Sequence, residues 1–263
     1  MGDLNLRHRW LRLPRAGSAC GLLAASLIAL AGCAGMDRTD FGLERDRFQP
    51  INQASHGFKS KLDRFLIRPS ARTYDRIVPD KVQRRATNFF KNLRGPIDIA
   101  NNLLQGKFKH GFSGVGRLLV NSTIGLGGLF DPAARMGLQR HAEDFGQTLA
   151  VWGVPSGPYL VLPVIGPGNA RDLLGMALGW QLHPAAQYDD NGTRNSLVVL
   201  EIVDTRATLL VRDRSLDAAV DEYTHRRQVY ELEREFEIHD GKPPEREGDF
   251  ELPVVPLPEF DSE

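Results

Sequence analysis

Between Phe108 and Phe130 large apolar side chains are interleaved with glycine. Phe108, Phe112, Val115, Leu118, Leu119, Ile124, Leu126, Leu129 and Phe130 share the run with Gly111, Gly114, Gly116, Gly125, Gly127 and Gly128. Between Gly111 and Phe130 only Arg117 carries a charge. Such a run approaches the roughly 20 apolar residues that a bilayer-crossing helix needs. Arg117, Asn121, Ser122 and Thr123 argue against a simple lipid-exposed span, because each places a charge or a polar group in hydrocarbon. The run therefore reads as a helix to about Asn121, followed by a glycine-rich turn or close-packed segment. A helix lying in a membrane interface is the alternative.

The remaining periodicity is also helical. Ile51, Ala54, Phe58, Leu62, Phe65 and Leu66 recur at spacings of three and four, an amphipathic pattern that Pro69 is expected to end. Val82, Ala86, Phe89 and Leu93 define a second helix, broken at Gly95-Pro96, and Ile97 to Leu104 resumes the pattern. Residues 131–143 read as a polar loop. Prolines at 155, 158, 163 and 167 rule out a long straight helix there. Arg171 to Leu182 forms a short apolar helix closed by His183-Pro184, and Leu197 to Val211 has helical spacing. Residues 217–238 read as a charged, solvated helix. Alternating strand patterns are scarce and no internal repeat is present. These features predict a mainly α-helical single domain over residues 46–240. The stretch 241–263, with five prolines and many acids, reads as a disordered tail.

The N-terminus reads as an export signal. Arg7, Arg9, Arg12 and Arg15 precede the apolar core Gly21–Leu30, which is too short to span a bilayer. The core runs into Leu30-Ala31-Gly32-Cys33, the pattern of a bacterial lipobox. Residues 1–32 are then a signal peptide, Cys33 the acylated new N-terminus, and residues 33–45 a tether. Two acyl chains suffice for stable attachment, each buried methylene contributing about 0.8 kcal/mol. Ala34 follows the cysteine; the aspartate that signals inner-membrane retention is absent, which favours the outer membrane. Cys20 would be lost with the signal, leaving the body without a thiol for a disulfide, a metal or nucleophilic chemistry.

Catalytic patterns are missing. There is no G-x-S-x-G, P-loop, H-E-x-x-H or dinucleotide fingerprint, and no metal-ligand spacing among the histidines, so no cofactor is expected. With 33 basic and 33 acidic side chains, no global field points to nucleic acid. His141, Glu143 and Asp144 could form a general acid–base group, but a polar loop with capping carboxylates accounts for them more simply. Trp152, Tyr159 and the run Val151–Ile165 fit either an interfacial aromatic belt or a soluble core. Arg84, Arg85, Lys91, Lys107 and Lys109 fit either contact with phospholipid headgroups or a solvated helix face.

Several long stretches resemble the MlaA family of outer-membrane lipoproteins, also called VacJ. They are Asp46-Arg-Phe-Gln-Pro-Ile-Asn52, Asp63-Arg-Phe-Leu-Ile-Arg-Pro69, Asn88-Phe-Phe-Lys-Asn-Leu93, Asn102-Leu-Leu-Gln-Gly-Lys-Phe108 and the run from Arg117 to Asp131. The fullest match is Glu143-Asp-Phe-Gly-Gln-Thr-Leu149 running into Trp152-Gly-Val-Pro-Ser-Gly-Pro-Tyr-Leu-Val-Leu-Pro163, followed by Gly166-Pro167 and Arg171-Asp172. The likeness covers roughly residues 46–215. It implies a non-enzymatic protein: a ring of amphipathic and interfacial helices around an amphipathic channel, in the inner leaflet of the outer membrane. The implied partners are phospholipid, a trimeric porin and a periplasmic lipid carrier similar to MlaC. The implied task is removal of phospholipid that strays into the outer leaflet. Phe58, Arg117, Asn121, Gly125, Gly127 and Gly128 are the candidates for lining or hinging such a channel. Position 57 is glycine where family members often carry Asn before Phe, so a gating role is not carried over to it. Two rivals are a lipoprotein that tethers porins or envelope layers and a periplasmic lipid-modifying enzyme.

Overall fold

The computed structural model describes residues 46–187, 189–213 and 221–244. The signal peptide, Cys33, the tether and tail residues 245–263 lie outside the described residues. Within them the chain is mainly helical, as the periodicity predicts. In chain order the elements are α1 (Gln49–Leu62), a π-helical turn (Asp63–Ile67), α2 (Arg68–Ile77), α3 (Asp80–Leu93), α4 (Gly95–Leu104), α5 (Phe108–Thr123) and the short α6 (Pro132–Arg135). There follow α7 (Phe145–Val151), a hairpin of β1 (Tyr159–Leu162) and β2 (Gly166–Asn169), α8 (Ala170–Leu182), α9 (Asn191–Thr208) and α10 (Glu222–Ile238). Short polar side chains start many of them. Asp144, Asn169, Asp190 and Asp221 each accept a backbone N–H in the first turn of α7, α8, α9 and α10, satisfying a donor that has no intrahelical partner.

Four expectations are corrected. Pro69 does not end the first helix. The π-helical turn before it widens the hydrogen-bond ring, with Arg68 N–H bonded to Asp63 C=O five residues back, so Pro69 enters at the start of α2, where its missing N–H costs nothing. The prolines near 160 do exclude a helix, yet they flank an antiparallel hairpin with Tyr159 opposite Asn169 and Leu162 opposite Gly166. Residues 131–143 contain one helical turn, α6, capped by Asp131. The C-terminal helix is also less solvated than its charge suggests, since Tyr223 and Arg234 are buried.

The elements close on themselves. α1 packs on β1; α2, reached through the π turn, packs on α9; α9 packs on α3; α3 meets α4 and α5; α4 meets α7; α7 meets α8 and α10; and α10 returns to β2. The α7–α8 crossing is close because glycines face each other. A Cβ on Gly175 would lie 2.2 Å from the Gly146 nitrogen.

Polar side chains pin the joints of this circuit. Asn52, buried in α1, donates to the Asp46 carboxylate and to Tyr159 C=O at 2.9 Å, and accepts from Val161 N–H at 2.9 Å, which makes it a surrogate strand edge for β1. Asp204 of α9 accepts from Tyr74 of α2 at 3.0 Å and from Thr87 of α3 at 2.9 Å. Arg206 grips both oxygens of Asp63 in the π turn. Arg234 of α10 reaches Asp144 before α7 at 2.7 Å and Asp172 of α8 at 2.8 Å. Tyr230 beside it donates to Asp172 and accepts from Asn169 N–H.

Arg234→Met keeps the side chain's volume and removes the charge that serves these carboxylates. Breaking one partner of a buried pair typically costs about 3–5 kcal/mol. The variant is expected to melt well below wild type in neutral detergent, as followed by circular dichroism.

Candidate functional site

The distribution of side chains between inside and outside is inverted relative to a water-soluble domain. The largest fully buried side chains are Asn52, Asn101, Asn102 and Thr148, and Asp98, Glu143, Arg171, Asp204 and Arg234 are buried as well. Ile51, Phe65, Leu66, Phe108, Phe112, Leu119, Ile124 and Trp152 are exposed. Soluble domains bury Ile, Leu and Phe and keep unpaired polar groups outside. Each large apolar side chain left in water forgoes about 1.5–3 kcal/mol, and contiguous apolar surface marks contact with protein or membrane.

Helix α5 shows how the inversion arises. Gly111, Gly114, Leu118 and Asn121 follow one helical face and pack inward. A Cβ at Gly111 would lie 2.5 Å from Leu103, and one at Gly114 would lie 2.9 Å from Ile99, so their smallness lets α5 approach α4. Phe108, Phe112, Val115 and Leu119 occupy the opposite face and are exposed. Among the described residues no helix is long and apolar enough to cross a membrane. The helix ends at Thr123 and a glycine-rich turn follows, as the first reading of this run predicts, and one face of the helix is apolar and turned outward.

The polar interior is densest between α4 and α7. Thr148 donates to Asn101 at 2.6 Å, and Gln105 donates to Glu143 at 2.8 Å and to Thr148 at 3.1 Å. Asn102 donates to Asp98 C=O and His141 C=O, and its own Oδ1 has no partner among the described residues. A small cavity beside it is bounded by α3, α4 and α5 and includes Asn92, Asp98, Arg117, Asn121 and Arg140. Burial pushes the Asp98 carboxyl up to about 6, although Arg140 at 2.8 Å opposes the shift.

Five of the candidate residues meet at the end of α5. Arg117 donates to Asp131 at 2.8 Å and to Leu138 C=O. Asn121 donates to Asp131 at 3.0 Å and accepts from Ala133 N–H at 3.1 Å. Burial works against the charge of Asp131, but Arg117 and Asn121 outweigh it and hold the carboxyl below its ordinary range. The following turn is fastened backwards: Gly127 N–H bonds to Ser122 C=O and Gly128 N–H to Asn121 C=O. Gly127 and Gly128 have φ of 70° and 94°, the left-handed region that glycine tolerates. A Cβ at Gly125 would strike the Asn121 carbonyl, and one at Gly128 would strike the Asn92 side chain at 2.4 Å. Ile124, Leu126, Leu129 and Phe130 project outward from this rigid turn. Phe58 is not part of the cluster; it is exposed on α1. Cys33 lies outside the described residues.

The acid–base candidates have structural duties. Glu143 pairs with Lys107 at 2.9 Å. Asp144 caps α7 and pairs with Arg234. The His141 ring stacks on His110 at 3.7 Å, and burial, then His110, lowers its pKa. Lys107, once grouped with headgroup-facing cations, is thus engaged by Glu143 and Asp240. Tyr159 is buried and Trp152 exposed, so the core reading holds for Tyr159 and fails for Trp152. Sequence reasoning missed the buried Asn52, Asn101, Asn102 and Thr148. Amides on otherwise apolar helix faces were the available signal. Among the described residues no group of His, Cys, Asp and Glu could hold a metal ion.

The family model described as MlaA lipoprotein matches residues 44–237. The intermembrane phospholipid transport system lipoprotein MlaA of Haemophilus influenzae is 30% identical over 222 residues, 82% of this chain and 89% of its own. Its counterpart in Escherichia coli K12 is 32% identical over 225 residues, 84% of this chain and 88% of its own. An uncharacterised protein of Rickettsia typhi is 34% identical over 195 residues, 73% and 78% of the respective lengths. A solved structure described as the structural basis for maintenance of bacterial outer membrane lipid asymmetry aligns with a TM-score of 0.67. The two chains are 30% identical, and the alignment covers 74% of this chain and 100% of the other.

Two measurements probe the site. Gly128→Ala introduces both a steric overlap and a strained φ, whereas Gly127→Ala meets open space and bears only the strain. Gly127→Ala is expected to cost about 1 kcal/mol and Gly128→Ala about 2–3 kcal/mol or more in denaturant titrations. Asp98 titrates higher in the folded state than its unfolded value of about 3.9. Its protonation therefore favours folding: the contribution is complete below about pH 4 and is lost as pH rises through about 6. The stability of wild type relative to Asp98→Asn is expected to fall by up to about 3 kcal/mol between pH 4 and 7.5, in paired thermal melts.

Proposed function

This chain belongs to the MlaA lipoprotein family, and we propose that it removes mislocalised phospholipid from the outer leaflet of the outer membrane and passes it to a periplasmic carrier. The observation that carries this reading is the inverted distribution of side chains. A stray phospholipid in a leaflet of lipopolysaccharide has tails that sit comfortably and a headgroup that crosses hydrocarbon only at high cost. A circuit of helices with apolar side chains outside and amides and ion pairs inside lowers that cost. The headgroup exchanges water for fixed polar partners, while the tails stay among the apolar side chains. The helices need not span the bilayer. Exposed stripes such as Phe108, Phe112 and Leu119 seat them in one leaflet, with their cylinders along the interface.

In this reading Cys33 carries the acyl anchor, and the body sits in the inner leaflet facing the periplasm. Arg117 and Asn121 line the route. Gly125, Gly127 and Gly128 give a fixed bend at its rim, and Phe58 on α1 lies on the membrane side. A trimeric porin would shield part of the apolar circumference, and a carrier similar to MlaC would collect the lipid below. No covalent step is required. Glu143 and Asp144, the carboxylates an enzyme would use, are held by Lys107 and Arg234.

The test is outer-leaflet phospholipid on intact cells lacking the gene, measured by phospholipase accessibility, with wild type or Cys33→Ala restored. Accessible phospholipid is expected to rise on deletion and to return to baseline with wild type alone. An unchanged leaflet with a leaking envelope would instead assign the protein a tethering role, and accumulation of lysophospholipid tied to His141, Glu143 or Asp144 would make it an enzyme.

A further inference from the structure

Helix α3 carries Lys81, Arg84 and Arg85 at spacings of three and four, which puts all three on one face, and Arg135 of α6 faces them across a cleft of roughly 370 Å³. The opposite wall is apolar: Ile124, Leu129 and Phe130 of the glycine-rich turn. Among the described residues none of these four cations has an ion-pair partner. The carboxylate in the same cleft, Asp131, is taken by Arg117, Asn121 and the Ala134 N–H. Arg85 lies 4.9 Å from the centre of the Phe130 ring, a cation–π contact that holds the guanidinium at the junction of the two walls.

This arrangement is unfavourable for the empty protein. Like charges three and four apart weaken a helix, and a chain of zero net charge has acids enough to have placed one here. The turn forming the other wall is fastened by the Gly127–Ser122 and Gly128–Asn121 backbone hydrogen bonds, and the cleft is open without a ligand. Its volume falls within the range of about 300–1,000 Å³ typical of small-molecule sites. Four cations around the cleft and apolar side chains along one wall match an amphiphile with an anionic head.

We propose that this cleft docks the phosphate of an anionic glycerophospholipid, with Lys81, Arg84, Arg85 and Arg135 around the phosphate and an acyl chain along Ile124, Leu129 and Phe130. The inference rests on the phospholipid-handling reading and adds to it a specific stop for the headgroup at the outer face of the α3–α5 corner. The class of ligand is set by the chemistry: a phosphodiester with net negative charge is preferred over a zwitterionic one, because nothing anionic is free in the cleft to meet an ammonium group.

The test uses the full lipidated chain in a neutral maltoside detergent. Dihexanoylphosphatidylglycerol, dihexanoylglycerol and inorganic phosphate are titrated by calorimetry against wild type, Arg84→Gln/Arg85→Gln, Arg135→Gln and the conservative Arg84→Lys/Arg85→Lys. The cations have no acid partner, so their removal orphans no buried charge, and unchanged thermal melts will verify folding. Wild type is expected to bind the phosphatidylglycerol at least about tenfold tighter than either other probe. The double glutamine variant is expected to lose about tenfold or more, at roughly fivefold per cation near an anionic lipid. The lysine variant should retain most of the affinity, and binding of dihexanoylglycerol should not change. Equal binding of phosphatidylglycerol by wild type and the glutamine variants would overturn the inference, as would absence of binding by wild type. Inorganic phosphate bound as tightly as the lipid would make the cleft a free-anion site and also overturn it. The leaflet measurement in cells is independent of each of these results, so loss of the cleft and loss of the transport reading remain distinguishable.

Discussion

A side-chain amide taken out of water has to find its donors and acceptors within the protein, and that requirement organises this fold. Asn52, Asn101, Asn102 and Thr148 are more deeply buried than any large apolar side chain. Each sits where two elements meet, and its bonds decide how they meet. Asn52 substitutes for a strand beside β1, Asn101 and Thr148 join α4 to α7, and Asp204 ties α2 and α3 to α9. Hydrophobic contact is nondirectional and would tolerate many relative placements of these helices. Hydrogen bonds of 2.6–3.1 Å do not, and a half-satisfied interior would be worse than an apolar one. The polar interior has its counterpart in an apolar surface turned outward.

Much of this was legible in the sequence, for identifiable reasons. Helices α1, α3, α4, α5 and α8 were readable because their apolar positions recur every three or four residues, whether that face looks inward or outward. The end of α5 was placed within two residues, because Asn121-Ser-Thr precedes a cluster of glycines. Which side of each stripe is buried could not be read, since periodicity gives a face and not its destination. Pro69 misled because a π turn absorbs a proline that an α-helix cannot. The hairpin was hidden because Gly166, Pro167 and Gly168 have neither strand propensity nor alternation; β2 is held by register with β1 and by Tyr230. Of the candidate cluster, Arg117, Asn121 and the glycines came together as neighbours in sequence must. Phe58 fell elsewhere, and the long-range partners, Asp144 with Arg234 and Asp46 with Tyr223, carry no local signal.

The cluster at the end of α5 illustrates how the inverted fold manages charge. Arg117 is the lone cation in a long apolar run, and it is neutralised within the same local segment by Asp131, with Asn121 sharing the carboxylate. Among the described residues Lys81, Arg84 and Arg85 of α3 are not neutralised in this way, although they line a cleft with the same turn. The same corner thus holds one closed polar unit and one open one. The first maintains shape, and the second is available to an anion from outside.

Tyr223 bonds to Asp46 across 177 residues of chain, and Arg234 clasps the entrances to α7 and α8. Both residues belong to the last helix. A chain synthesised from its N-terminus therefore delivers every other described element before the pieces that lock the circuit. Contacts so distant in sequence also form late, because their loop-closure entropy must be met first. Until α10 arrives the helices already paired, α4 with α5, α7 with α8 and α2 with α9, lack the Asp46–Tyr223 and Asp144–Arg234 ties. The last helix to emerge is thus a clasp: the carboxylates of Asp46, Asp144 and Asp172 wait for Tyr223 and Arg234, which only the end of the described chain brings.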